Sequence, residues 1–172
     1  MFETMFFYMI VYMDGVGLES VPEEIRTPGM CMVAVRSYGR ALRVVPDKMK
    51  TPEVCLEAVK NHGMAIEFVP EHLKTYELCL IAVQDDGYAL NWVPKHIRSH
   101  EICLTAVKKN EWTIEYVPED IMTHEMCLIA VKKLGFLLQF IPETLQTEEI
   151  VAAAIAQNPT RASQLIKKKK RD

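Results

Sequence analysis

A chain of 172 residues with a net charge of −3 and a pI near 6.0 has no basic excess, which argues against wholesale binding of nucleic acid. Its 49% apolar and 25% charged residues belong to a globular chain rather than a disordered one. No apolar run reaches the length of a bilayer span, so no membrane span is expected.

In chain order, residues 5–13 come first. They are apolar but few, with Glu3 in front and no small-residue cleavage site behind, which reads against a secretory signal. A period then takes over. Cys31, Cys55, Cys79, Cys103 and Cys127 follow one another every 24 residues. Pro22, Pro46, Pro70, Pro94, Pro118 and Pro142 keep the same interval, as do Thr27, Thr51, Thr75, Ser99, Thr123 and Thr147. A fixed period of this length marks a solenoid, in which each small unit buries its face against the next. The expected organisation is one solenoid domain over residues 1–172. It has a truncated unit at 3–20, full units from 21, 45, 69, 93 and 117, a degenerate unit at 141–164 and a basic tail at 165–172.

Each unit carries its own punctuation. Thr51 suits an N-cap, Pro52 the first helical position, and Glu53 the positive end of the helix dipole. A helix is predicted from there to Gly63, with the glycine in the left-handed position that ends many helices. Val54, Cys55, Leu56, Ala58 and Val59 form its broad apolar face, and Leu80 in the next unit reads as a core leucine. A shorter helix is predicted over 64–68, stopping ahead of Pro70, and then one 3₁₀-like turn through Leu73. Nothing alternates with period two, so the fold class is all-α.

The pattern V-P-x-x-[LI]-[KR]-T-x-E-x-C-L-x-A-V-x-x-x-G-x-A-L resembles a family of 24-residue helical repeats of unknown function, found in intracellular bacteria, amoeba-associated bacteria and giant viruses. The resemblance covers residues 3–165 and is most specific between Val45 and Phe140; it departs from the pattern at Glu111, where glycine is expected. The last unit, with Val151 in the cysteine position, is also similar to leucine-rich repeat variants. The resemblance implies a right-handed α-solenoid and brings no catalytic residue with it.

The cysteines are expected to be reduced. Stacked helices stand roughly 8–10 Å apart, whereas a disulfide needs Cα atoms within about 7 Å. Reduced, buried thiols fit a cytoplasmic setting, in the protein's own cell or in a host cytosol if it is delivered there. Phe68, Trp92, Tyr116 and Phe140 precede each Val/Ile-Pro pair and are expected to pack in the core. Met64, Tyr88, Trp112 and Phe136 recur four residues earlier, with Arg40 at the head of the series. A position that accepts arginine is at least partly exposed, so these four are expected to line a partner-binding strip. Tyr12 stands where later units carry Arg36, Lys60 and Lys108, and Met13 where they carry Ser37 and Asn61; with Tyr8 and Met9, four residues earlier on the same helical faces, they are expected to support homodimerisation or docking of a partner.

Arg26, Lys50, Lys74 and Arg98 form one basic series, expected as a solvated ladder beside nearby glutamates, and Arg36, Lys60, Lys108 and Lys132 form a second. Together they carry the alternative of a nucleic-acid-binding solenoid. Of the five histidines, His96 and His100 lie four apart but lack a third ligand at metal-site spacing. No catalytic triad order, phosphate loop or paired carboxylates occur, so no catalytic, cofactor or metal residue is assigned. The expected function is a non-enzymatic protein–protein interaction or scaffold module, ahead of nucleic-acid binding and of an enzyme or enzyme accessory.

Overall fold

In a computed structural model that describes residues 16–158, every regular element is a helix, and no strand occurs among the described residues. The expectations placed on Tyr8, Met9, Tyr12 and Met13, on most of the truncated first unit and on the basic tail lie outside the described residues. Among the described residues six α-helices, each ten residues long, are spaced at the period of the sequence: α1 Pro28–Ser37, α2 Pro52–Asn61, α3 Tyr76–Asp85, α4 His100–Lys109, α5 His124–Lys133 and α6 Glu148–Gln157.

The helices start where the sequence punctuates them. The hydroxyl oxygens of Thr27, Thr51, Thr75, Ser99, Thr123 and Thr147 each accept from the amide three residues on, at 3.2–3.4 Å. Between consecutive α-helices run six-residue 3₁₀ helices: Gly39–Val44, Gly63–Phe68, Gly87–Trp92, Glu111–Tyr116 and Gly135–Phe140. A three-residue 3₁₀ turn, such as Glu71–Leu73, follows most of them.

Two compact units divide the chain, Met1–Ile97 and Arg98–Asp172. In the first, α1 packs on α2 and α2 on α3, while the 3₁₀ helices Gly39–Val44, Gly63–Phe68 and Gly87–Trp92 pack on one another in the same order. In the second, α4, α5 and α6 follow the same rule, as do Glu111–Tyr116 and Gly135–Phe140. Each unit is therefore an α row laid against a 3₁₀ row. The core between the rows repeats by position: Leu78, Cys79, Ala82 and Val83 from α3, then Ala89 and Leu90 from the 3₁₀ helix behind it and Val93 just after that helix.

Several expectations change. Leu56 and Leu80 are half-buried rather than core. With 3.6 residues per turn, position 80 lies roughly 200° around the helix from Leu78, outside the stripe formed by 78, 79, 82 and 83. Phe68, Trp92, Tyr116 and Phe140 are also half-buried. The small residues one 3₁₀ turn before the first three, Ala65, Ala89 and Thr113, fill the inner layer, and the larger rings overrun it.

The glycine after each helix has a different reason from the one expected. The helix ends at Asn61, and extended His62 caps it before Gly63. No left-handed backbone is involved. A Cβ on Gly63 would come within 2.5 Å of the Ala82 carbonyl oxygen, and one on Gly39 or Gly135 within 2.3 or 2.2 Å of the Ala58 or Ala154 oxygen. Glycine stands there because the next helix's backbone passes that close. The same edge is pinned by side chains: Gly39 N donates to Asn61 Oδ1 and Gly63 N to Asp85 Oδ2, both at 2.6 Å.

The first basic series is not a solvated ladder. Lys50 and Lys74 side chains are only 11% and 7% exposed. Lys74 Nζ donates to the Trp92 carbonyl at 3.0 Å and pairs with Glu71 at 3.1 Å. Arg98 donates to the Tyr116 carbonyl at 2.6 Å, and Arg26 to the carbonyls of Val21 and Val44. These heads bridge the turn before one α-helix to the last carbonyls of the 3₁₀ helix that follows it. Gln146, in the same register, turns back and donates to Ile141 O at 2.7 Å. Met122 occupies the position without a polar head. There the short 3₁₀ turn is lost, and the Met122 amide donates to Pro118 O, where Lys74 N donates to Glu71 O.

Candidate functional site

The outer edge of the 3₁₀ row is built by the geometry of that helix. Three residues complete a turn, so residues three apart stand in line. In Gly63–Phe68 the inner positions are Ala65 and Ile66, and the outer line is Met64 with Glu67, both half-buried. In Gly87–Trp92 the outer line is Tyr88 and Asn91, with Tyr88 39% exposed. In Glu111–Tyr116 it is Trp112, 38% exposed, and Glu115. In Gly135–Phe140 it is half-buried Phe136 and exposed Gln139.

Met64, Tyr88, Trp112 and Phe136 therefore all lie on the outward line of their helices, partly open to solvent. Within the first unit, Met64 and Tyr88 sit on packed neighbouring 3₁₀ helices. Within the second, the rings of Trp112 and Phe136 meet directly, with centroids 5.0 Å apart and planes tilted by 57°. Such a tilted pair is the geometry aromatic quadrupoles favour. Arg40 heads the series: its guanidinium lies 5.6 Å from the centre of the Phe68 ring and 3.5 Å from a Glu67 carboxylate oxygen.

The backbone under three of these residues is held by the residue two before. His62 Nδ1 accepts from the Met64 amide at 3.3 Å, Asp86 Oδ1 from the Tyr88 amide at 2.9 Å, and Asn110 Oδ1 from the Trp112 amide at 3.0 Å. Leu134 has no such acceptor ahead of Phe136. These caps were missed in the sequence, although the polar residues directly before Gly63, Gly87 and Glu111 were a visible signal.

The five thiols are remote from this edge in chemistry. All are fully buried and free. Burial pushes Cys55, Cys79, Cys103 and Cys127 up to about 11, offset in part at the first three by Lys50, Lys74 and Arg98. A thiol held neutral in this way is a poor nucleophile. His96 and His100 are exposed, and among the described residues no three histidine, cysteine or carboxylate side chains gather as a metal site requires. The second basic series is exposed, with Arg36 paired to Glu57 at 2.8 Å and Lys108 to Glu125 at 3.0 Å. No described helix is long and apolar enough to cross a membrane.

No curated protein and no solved structure matches this chain. A family model described as a domain of unknown function (DUF4116) matches twice, over residues 51–98 and 75–122, so the two matches start one period apart. With its all-helical described residues and its 24-residue period, the chain is similar to a helical repeat family of unknown function.

Proposed function

We propose that the chain is a non-enzymatic protein-interaction module, a right-handed α-solenoid that presents the outer edge of its 3₁₀ row to a protein partner in the cytoplasm. The observation that carries this reading is that Tyr88 and Trp112, two of the five large apolar side chains exposed among the described residues, hold the same register on the outer line of the 3₁₀ row. Exposed aromatic residues on a rigid edge supply contact area at low entropic cost, as interface anchors do. The experiment is a binding assay from the native host with Tyr88→Ala and Trp112→Ala combined. Binding should weaken while far-UV helicity stays near that of the parent; a variant that unfolds would assign both rings to the core and end the proposal.

Nucleic-acid binding is the weaker reading. The heads of Lys74 and Arg98 are engaged with backbone carbonyls and are not offered to phosphates. A salt titration against DNA and RNA tests it, since each phosphate contact adds to a steep loss of affinity with salt. Homodimerisation through Tyr8, Met9, Tyr12 and Met13 remains a separate proposal. Light scattering over a concentration series, with Tyr12→Lys and Met9→Glu as variants, tests it; an unvaried monomer would refute it.

A further inference from the structure

We propose that the Trp112–Glu115 edge binds an arginine side chain of the protein partner, an inference that rests on the interaction reading above and names the chemistry of what is bound. The repeat itself supplies the precedent. The guanidinium of Arg40 lies 5.6 Å from the Phe68 ring and 3.5 Å from Glu67, whose registers two periods on are those of Tyr116 and Glu115. This edge of the 3₁₀ row therefore takes a guanidinium between an aromatic face and a carboxylate that belongs to the outer line.

In Glu111–Tyr116 the same outer-line carboxylate, Glu115, has an exposed indole, Trp112, in line with it. Trp112 and Glu115 are three residues apart and so stand in line on the outer edge, both exposed. The tilted ring of Phe136, 5.0 Å away, braces the indole from one side. Two nearby cations are already matched: Lys133 pairs with Glu111 at 3.3 Å and Lys108 with Glu125 at 3.0 Å. Glu67 has Arg40, whereas no described cation pairs with Glu115. An indole face with a carboxylate beside it attracts a cation twice, through the ring quadrupole and through charge. Arginine suits it better than lysine, because a planar, weakly hydrated guanidinium stacks on the ring while its edge still donates to the acid.

The test is a titration of the full chain, followed by the indole N–H resonance of Trp112, with capped tripeptides Gly-Arg-Gly, Gly-Lys-Gly, Gly-citrulline-Gly and Gly-Leu-Gly. The arginine peptide should shift that resonance saturably, and Glu115→Gln should weaken it by about two- to fivefold, the worth of an exposed ion pair. Glu143→Gln, an exposed acid on another turn, should leave the affinity unchanged. Citrulline keeps the shape without the charge, so equal binding of the arginine and citrulline peptides would overturn the proposal, as would an affinity indifferent to Glu115→Gln. A lysine peptide that binds as tightly would overturn the guanidinium preference. If only the leucine peptide shifts Trp112, the strip still binds partners and the arginine inference alone is refuted. If no peptide shifts it and Tyr88→Ala with Trp112→Ala leaves partner binding intact, the interaction reading falls with it.

Discussion

A thiol buried in each repeat makes stability depend on pH in an alkaline window. Cys55, Cys79, Cys103 and Cys127 stay protonated in the folded chain up to about 11, whereas an unfolded thiol ionises near ~8.5. Between those limits the unfolded chain binds fewer protons, so its free energy falls relative to the folded state. The contribution is fully present below the unfolded value and is lost as pH rises toward 11. Urea midpoints should therefore fall between pH 8 and pH 10.5, and the fall should be shallower in Cys79→Ala; the same slope in both would refute the assignment. Native labelling by a thiol reagent should be slow, and labelling in denaturant should reach all five cysteines. The side chain that governs core packing in α3 is Leu78, 6% exposed, rather than half-buried Leu80.

At the scale of the element, the repeat is joined by backbone carbonyls as much as by apolar contact. Lys74→Ala removes the donor to Trp92 O and the partner of Glu71, and should cost about 1–3 kcal/mol in a urea melt; an unchanged midpoint would show that the bridge is dispensable. Asn110→Ala removes the acceptor for the Trp112 amide and should cost about 1 kcal/mol. Amide exchange at Trp112 should quicken in that variant more than at Tyr88, whose own cap is Asp86. Equal exchange at the two positions would separate the cap from the order of the site.

Across the whole molecule, what the sequence made legible was whatever depends on near neighbours. Thr51 and Ser99 announce their helices because an N-cap bonds three residues ahead. The outward line of Tyr88 and Trp112 was readable because Arg40 shares their register. Gly63 and Lys74 were misread because their reasons lie far along the chain, beyond the next helix's start, at Ala82 O and Trp92 O. Periodicity reveals that a position is special; it does not say which distant backbone atom makes it so. Glycine after a helix suggests a left-handed turn by local habit, and lysine before an N-cap suggests solvent. Both habits were overridden by the approach of backbone from a later helix.

The constancy of those offsets has a consequence for copy number. Lys74 reaches 18 residues forward, as Arg26 and Arg98 do, and Gly63 meets the side chain 22 residues forward, as Gly39 does. Removing residues 51–74 would bring Lys50 to the place of Lys74 and set Gly39 against Asp85 instead of Asn61, so the lysine bridge and the glycine contact keep partners while surface pairs such as Arg36–Glu57 are lost. Such an excision should leave a shorter chain that still melts cooperatively with helical circular dichroism. Removing 20 residues from the same region should disrupt cooperative melting, because the donors ahead of the cut would then miss their acceptors beyond it. A gene encoding this chain could thus lengthen or shorten by unequal recombination in whole periods and still yield folded products, so the number of repeats is free to vary while the length of each one is not.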